Sequence, residues 1–295
     1  MSTPAKTKTG GFPIGIRMTG EFDKLAPADV ATWATTNGFN CIDVGANRLP
    51  QAPAFQKGGL PIGTIDLFGP EWFGMMSADA GKRKATVALA QKMIRDSAAA
   101  GVKLFFIVML AEDEKLARKE TFGYMVETYG QLRDVLKETK TKLSVEGWPG
   151  CNAQCCTPES YRAFLKEMNS PQYGINYDPS HLLRKGIDPL RFIAEYAPHV
   201  VHVHGKDTFI DPERLYNLGT EQAPVFADGM PWGGWFWRYT IPGAGAAPWT
   251  KIFTALKAVN FGGFVSIELE DVNYNGSVAG EKKGFLAARD FLRTV

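Results

Sequence analysis

Apolar and polar residues alternate in short runs along this chain, and four of the runs end on groups able to bind a metal. Leu143-Ser144-Val145-Glu146 puts leucine and valine on one face, serine and glutamate on the other. In Gly174-Ile175-Asn176-Tyr177-Asp178 the odd positions are apolar and the even ones small or polar. Val201-His202-Val203-His204 places both histidines on one face, and Val265-Ser266-Ile267-Glu268-Leu269-Glu270 alternates throughout. Strand side chains alternate with period two, so each run predicts a strand whose polar residues share a face.

The same pattern continues along the chain. Strands are predicted at 13–18, 39–44, 61–67, 103–110, 142–146, 173–178, 200–204 and 263–269. Helical segments lie between them at 27–37, 79–100, 115–139, 157–168, 188–197, 248–259 and 280–293. Thr157-Pro158 and Asp188-Pro189 read as caps followed by proline at the first helical position, and Gly38 and Gly101 as helix stops.

Strands interleaved with helices imply parallel pairing. A closed (β/α)8 TIM barrel is preferred over an open doubly wound sheet. In a barrel the polar ends of the last four strands ring one mouth, whereas in an open sheet they spread along roughly 15 Å of edge. Two stretches depart from the pattern. Gly45–Gly59, with Pro50 and Pro53, reads as a loop or degenerate second helix. Thr208–Ala247, after the seventh strand, is a long loop carrying Trp232, Trp235, Phe236, Trp237 and Tyr239. A loop that long and aromatic is expected to be functional, as a pocket wall or as a subunit interface in a homo-oligomer. Residues 1–11 are expected to be a disordered tail and 12–295 one barrel domain.

Composition changes this picture little. With 33 basic and 31 acidic residues and 45% hydrophobic content, nothing favours nucleic acid or an anionic membrane as a partner. The start lacks the apolar segment of a secretory signal, and the longest apolar run, Leu104 to Ala111, is too short to span a bilayer. The expected setting is the cytoplasm. Cys151, Cys155 and Cys156 form a C-x3-C-C pattern that fits neither a zinc knuckle nor a C-x-x-C redox pair, so reduced thiols are expected. Cys41 reads as core.

Three carboxylates and one imidazole converging at strand ends suit a hard or borderline divalent cation. Manganese or magnesium leads, with cobalt, iron and zinc acceptable. Open coordination positions would accept the neighbouring oxygens of a hydroxy-carbonyl compound, and the ion would stabilise the enediolate formed on deprotonation. Glu146 and Glu268 come from opposite sides of the half-ring and could act as paired acid and base. His181, three residues after Asp178, is expected to face the same pocket. Lys206 could hold a substrate oxygen or neutralise an enolate. His202 is expected to support the ion site from one layer deeper.

These pieces, with Asp178-Pro179-Ser180-His181, His202-Val203-His204-Gly205-Lys206-Asp207 and the stretch Arg238–Gly245 ahead of Trp249, resemble the xylose isomerase-like (β/α)8 barrel superfamily, in its sugar phosphate isomerase/epimerase group. The resemblance runs in order over nearly the whole chain. It implies Glu146, Asp178, His204 and Glu268 as ligands of one divalent ion, commonly manganese, with Glu146 and Glu268 shuttling the proton and His181 binding a substrate hydroxyl or carbonyl. Ketose 3-epimerases carry a second glutamate where this chain has Asn152, and an arginine where it has Ile210. The His-Gly-Lys-Asp segment looks more like the inosose dehydratase branch. The expected activity is therefore isomerisation or epimerisation of a keto-sugar or derivative. The alternative is a lyase eliminating water or an alcohol from a 3-keto sugar or inosose. A multi-zinc endonuclease of the same fold would need more histidines than the four present. A barrel that only binds sugar would show affinity without turnover.

Overall fold

The computed structural model describes residues 11–67, 69–150 and 152–295. Apart from Gly11, the tail expected over 1–11 lies outside the described residues, as does Cys151. Eight parallel strands close into a barrel. They are β1 (Ile14–Arg17), β2 (Cys41–Val44), β3 (Ile62–Asp66), β4 (Leu104–Val108), β5 (Lys142–Glu146), β6 (Tyr173–Tyr177), β7 (Val200–Gly205) and β10 (Val265–Ile267). Their order around the ring is β1-β10-β7-β6-β5-β4-β3-β2. All eight strands anticipated by the alternation are present, several trimmed by a residue or two.

Packing groups the chain into two compact units. One comprises the segment through Cys41 with Asp178–Pro198 and Val203–Val295. Here β1 pairs with β10, and β10 with the end of β7, so that Ser266 stands beside His204. Helices α1 (Pro27–Thr36), α7 (Pro179–Leu183), α8 (Pro189–Tyr196), α10 (Trp249–Ala258) and α11 (Val278–Leu292) belong to this unit. Phe22 sits edge-on to the half-buried Trp33 and to Phe285, at 5.3 and 5.2 Å, with Phe22 and Phe285 fully buried. Burying each such ring stabilises the fold by about 1.5–3 kcal/mol.

The other unit comprises Ile42–Tyr177 and His199–His202. Strands β2 to β6 pair in sequence order, and the register sets Val108 beside Glu146 and Glu146 beside Asn176. The helix expected at 115–139 divides into α4 (Arg118–Gly130) and α5 (Arg133–Thr139). Gly130, a weak helix former, marks the break. The expected degenerate segment at 45–59 forms a 3-10 turn, Ala46–Gln51, and the short helix α2 (Ala52–Lys57). Helix α3 (Ala80–Ala99) starts on Asp79, whose carboxylate accepts from Gly81 and Lys82 N–H. Helix α6 (Pro158–Met168) starts on Thr157, whose hydroxyl accepts from Ser160 N–H in a capping box.

The long segment after β7 is more regular than its glycines and prolines suggest. Strand β8 (Asp207–Ile210) pairs antiparallel with β9 (Trp237–Thr240), and α9 (Pro212–Leu218) lies between them. The register puts Thr208 beside Tyr239 and Phe209 beside Arg238. Alternation on a four-residue strand is a weak signal until its distant partner is known.

Candidate metal centre

Asp178 directly follows β6 and caps α7. Its Oδ1 accepts from Ser180 N–H at 2.8 Å, so capping fixes the carboxylate and aims Oδ2 elsewhere. Oδ2 is buried and accepts no aligned hydrogen bond among the described residues, though two cationic or ionisable groups lie 3.3 Å away: Lys206 Nζ and His181 Nε2. His204 stands within β7, fully buried, with Nδ1 3.3 Å from Glu268 Oε2. Glu268 lies one residue past β10. The three residues each offer a donor atom, and these atoms fall within 4.8 Å of one another. Two carboxylates and an imidazole at that spacing fit a divalent cation, and the incompletely used Asp178 oxygen is the kind of group an ion would satisfy.

Lys206 belongs to the same cluster. Its side chain is 2% exposed, and its ammonium bonds to Glu268 and to Glu270 Oε2 at 3.2 Å. It also lies 4.6 Å above the Tyr239 ring. Arg17, ending β1, places Nε 3.1 Å from Glu268 Oε1. Burial pushes the Glu268 carboxyl up, but the opposing charge of Lys206, together with His204 and Arg17, outweighs it and holds the group well below the usual carboxylate range. Glu268 is therefore held as the anion, the form able to bind a cation or accept a proton.

His181, on α7, is buried, and Tyr239 holds it with a 2.8 Å hydrogen bond to Nδ1. Lys206 Nζ lies 3.5 Å from its Nε2. The Tyr239 hydroxyl is itself pushed above its ordinary range by burial, so it stays protonated and available to donate.

In the other unit Glu146 is the last residue of β5 and 3% exposed. Its Oε2 accepts from Asn176 Nδ2 at 2.6 Å. That contact follows from the register, because directly paired strand residues on one face are neighbours. His202 Nε2 lies 2.8 Å from Asp43 Oδ2, both groups fully buried, and Asp43 Oδ1 accepts from Thr64 N–H at 2.8 Å. His202 is thus a hydrogen-bonded interior histidine with a carboxylate partner.

Asp43, Asn176 and Arg17 have no assigned role in the sequence reading, although each carries a signal. Asn176 shares its parity with Asp178, Asp43 interrupts an apolar strand, and Arg17 alternates with Ile14 and Ile16. Tyr239 stands among the aromatics of the segment expected to be functional, but its contact with His181 depends on the β8–β9 pairing.

Residues 33–295 match the model of the xylose isomerase-like TIM barrel family, and the chain belongs to that family. Among curated relatives, the uncharacterized protein YfiH of Bacillus subtilis is 33% identical over 37% of this chain, a match spanning 34% of YfiH. The inosose dehydratase of Glaesserella parasuis is 24% identical over 88% of this chain and 86% of its own. The D-psicose 3-epimerase of Clostridium cellulolyticum, solved with D-tagatose, superposes with a TM-score of 0.73 at 16% identity, covering 96% of this chain and 99% of that one. Among the described residues, no helix is long and apolar enough to cross a membrane.

Proposed function

We propose that the protein is a divalent-metal-dependent isomerase or epimerase of a keto-sugar or sugar derivative. The proposed ligands are Glu146, Asp178, His204 and Glu268, and three carboxylates with one imidazole put Mn2+ ahead of the softer metals. When bound, the cation supplies Lewis acidity that makes the C–H beside a substrate carbonyl easier to break.

The chain's own groups carry the proton. Glu268, kept anionic by Lys206 and Arg17, is the base. Glu146 serves as its counterpart, returning a proton on the other side of the planar intermediate. The Lys206 ammonium offsets negative charge that builds on the substrate oxygens. His181, oriented by Tyr239, binds a hydroxyl or the carbonyl. The observation carrying this reading is the buried cluster of Asp178, His204 and Glu268 with donor atoms within 4.8 Å and an ammonium touching both carboxylates.

A second reading, elimination of water or an alcohol, has its own support. An inosose dehydratase aligns with most of the chain, and Lys206, beside Glu268, would protonate a departing oxygen. Asn152 stands where ketose 3-epimerases carry a glutamate, and its amide is committed to Asp113 and Leu116 carbonyls, both at 3.1 Å.

Incubation with Mn2+ in D2O over a panel of keto-sugars and inososes tests both readings. Deuterium should enter at the carbon beside the carbonyl, and Glu268→Gln should stop it. Growth of enone absorbance would select the lyase. No exchange with any substrate would overturn the enolisation reading.

A further inference from the structure

A cleft of about 670 Å³ opens in the unit that carries Asp178, His204 and Glu268, and the proposed chemistry makes no use of it. Its walls include Trp235 from the segment between β8 and β9, Trp237 at the start of β9, Arg184 and Lys185 after α7, and Thr220 and Glu221. Both tryptophans are partly exposed. The Arg184 guanidinium lies 4.6 Å from the Trp237 ring and 5.5 Å from the Tyr239 ring. The volume falls within the ordinary range for small-molecule sites, roughly 300–1,000 Å³.

One chain of contacts joins the cleft wall to the candidate centre. Tyr239 donates to or accepts from His181 at 2.8 Å, and Trp237 packs on Tyr239 at 5.0 Å between ring centroids. The lining combines flat aromatic faces with cationic, acidic and hydroxyl side chains. Aromatic faces pack against the C–H surface of a ring, and the polar groups satisfy its hydroxyls.

We infer that this cleft is a subsite for a second ring attached to the keto-sugar, so that the substrate is a keto-glycoside whose far ring lies against Trp237 and Trp235. The inference rests on the proposed function only for the position of the first ring; the cleft's own preference is read by binding.

Calorimetric titration of the full-length, Mn2+-loaded protein with a phenyl 3-keto-glucoside and with the methyl 3-keto-glucoside provides the test. The phenyl compound should bind at least about tenfold more tightly. Trp235→Ala touches no residue of the candidate centre, and it should remove most of that advantage while leaving the methyl glycoside within about threefold. Trp237→Phe should keep the advantage and Trp237→Ala should lose it, which separates ring stacking from a general disturbance of Tyr239. Equal affinity for the two glycosides, or an advantage untouched by Trp235→Ala and Trp237→Ala, would overturn the subsite. Absence of deuterium exchange with a preserved ring preference would overturn the enolisation reading alone.

Discussion

Asp207 is the most exacting test of how the segment after β7 is held. The residue is fully buried at the start of β8, and its carboxylate accepts four N–H donors. Oδ1 takes Thr208 N and Ala247 N, both at 2.8 Å. Oδ2 takes Trp249 Nε1 at 3.0 Å and Gly243 N at 3.3 Å. A Cβ added at Gly245 would collide with this carboxylate, so the chain passes it closely because glycine stands there. Asp207→Ala leaves these donors without their acceptor. Each buried unsatisfied donor costs about 1–3 kcal/mol, and partial relaxation with water entry brings the total to about 3–5 kcal/mol. Asp207→Asn keeps one acceptor oxygen but turns an amide N–H2 against the Trp249 and Gly243 donors, so about half of that loss is expected. Urea unfolding of the three proteins, compared at equal m-value, measures both quantities. An alanine variant within ~1 kcal/mol of the parent, or an asparagine variant no better than alanine, would refute the claim that this carboxylate anchors the segment.

Other outcomes follow from the centre itself. Glu268→Gln should abolish deuterium exchange while the protein stays folded, because the amide fills the same volume without the charge; retained exchange would remove Glu268 as the base. Chelation should lower the melting temperature and readdition of Mn2+ restore it, by about 2.7 kcal/mol of stability at a hundredfold excess of ion over Kd; an unchanged melting curve would argue against a bound ion. Tyr239→Phe removes the partner of His181 Nδ1 and should lower kcat/KM by about five- to thirtyfold without a change in stability beyond ~1 kcal/mol, read from steady-state kinetics and thermal melts. Asp43→Ala removes a buried hydrogen-bond partner of His202 and should destabilise by about 1–3 kcal/mol in chemical denaturation; an unchanged midpoint would refute a stabilising role for that contact.

Much of this protein could be read one residue at a time. The period-two runs ending at Glu146, Asp178, His204 and Glu268 marked four strands and the side from which their polar groups leave, because strand geometry makes parity a local property. Cap residues such as Thr157 and Asp188 announced their helices for the same reason: an N-cap hydrogen bond spans only a few residues. Other features depend on partners far apart in sequence. Tyr239 meets His181 because β9 pairs with β8 across a 26-residue interval that reads as irregular. Arg17 reaches Glu268 because β1 lies beside β10, and Asn176 braces Glu146 because of one parallel register. Alternation tells which way a side chain points but not which distant residue stands opposite. That choice belongs to strand order and register, and they decide which charges share the buried centre.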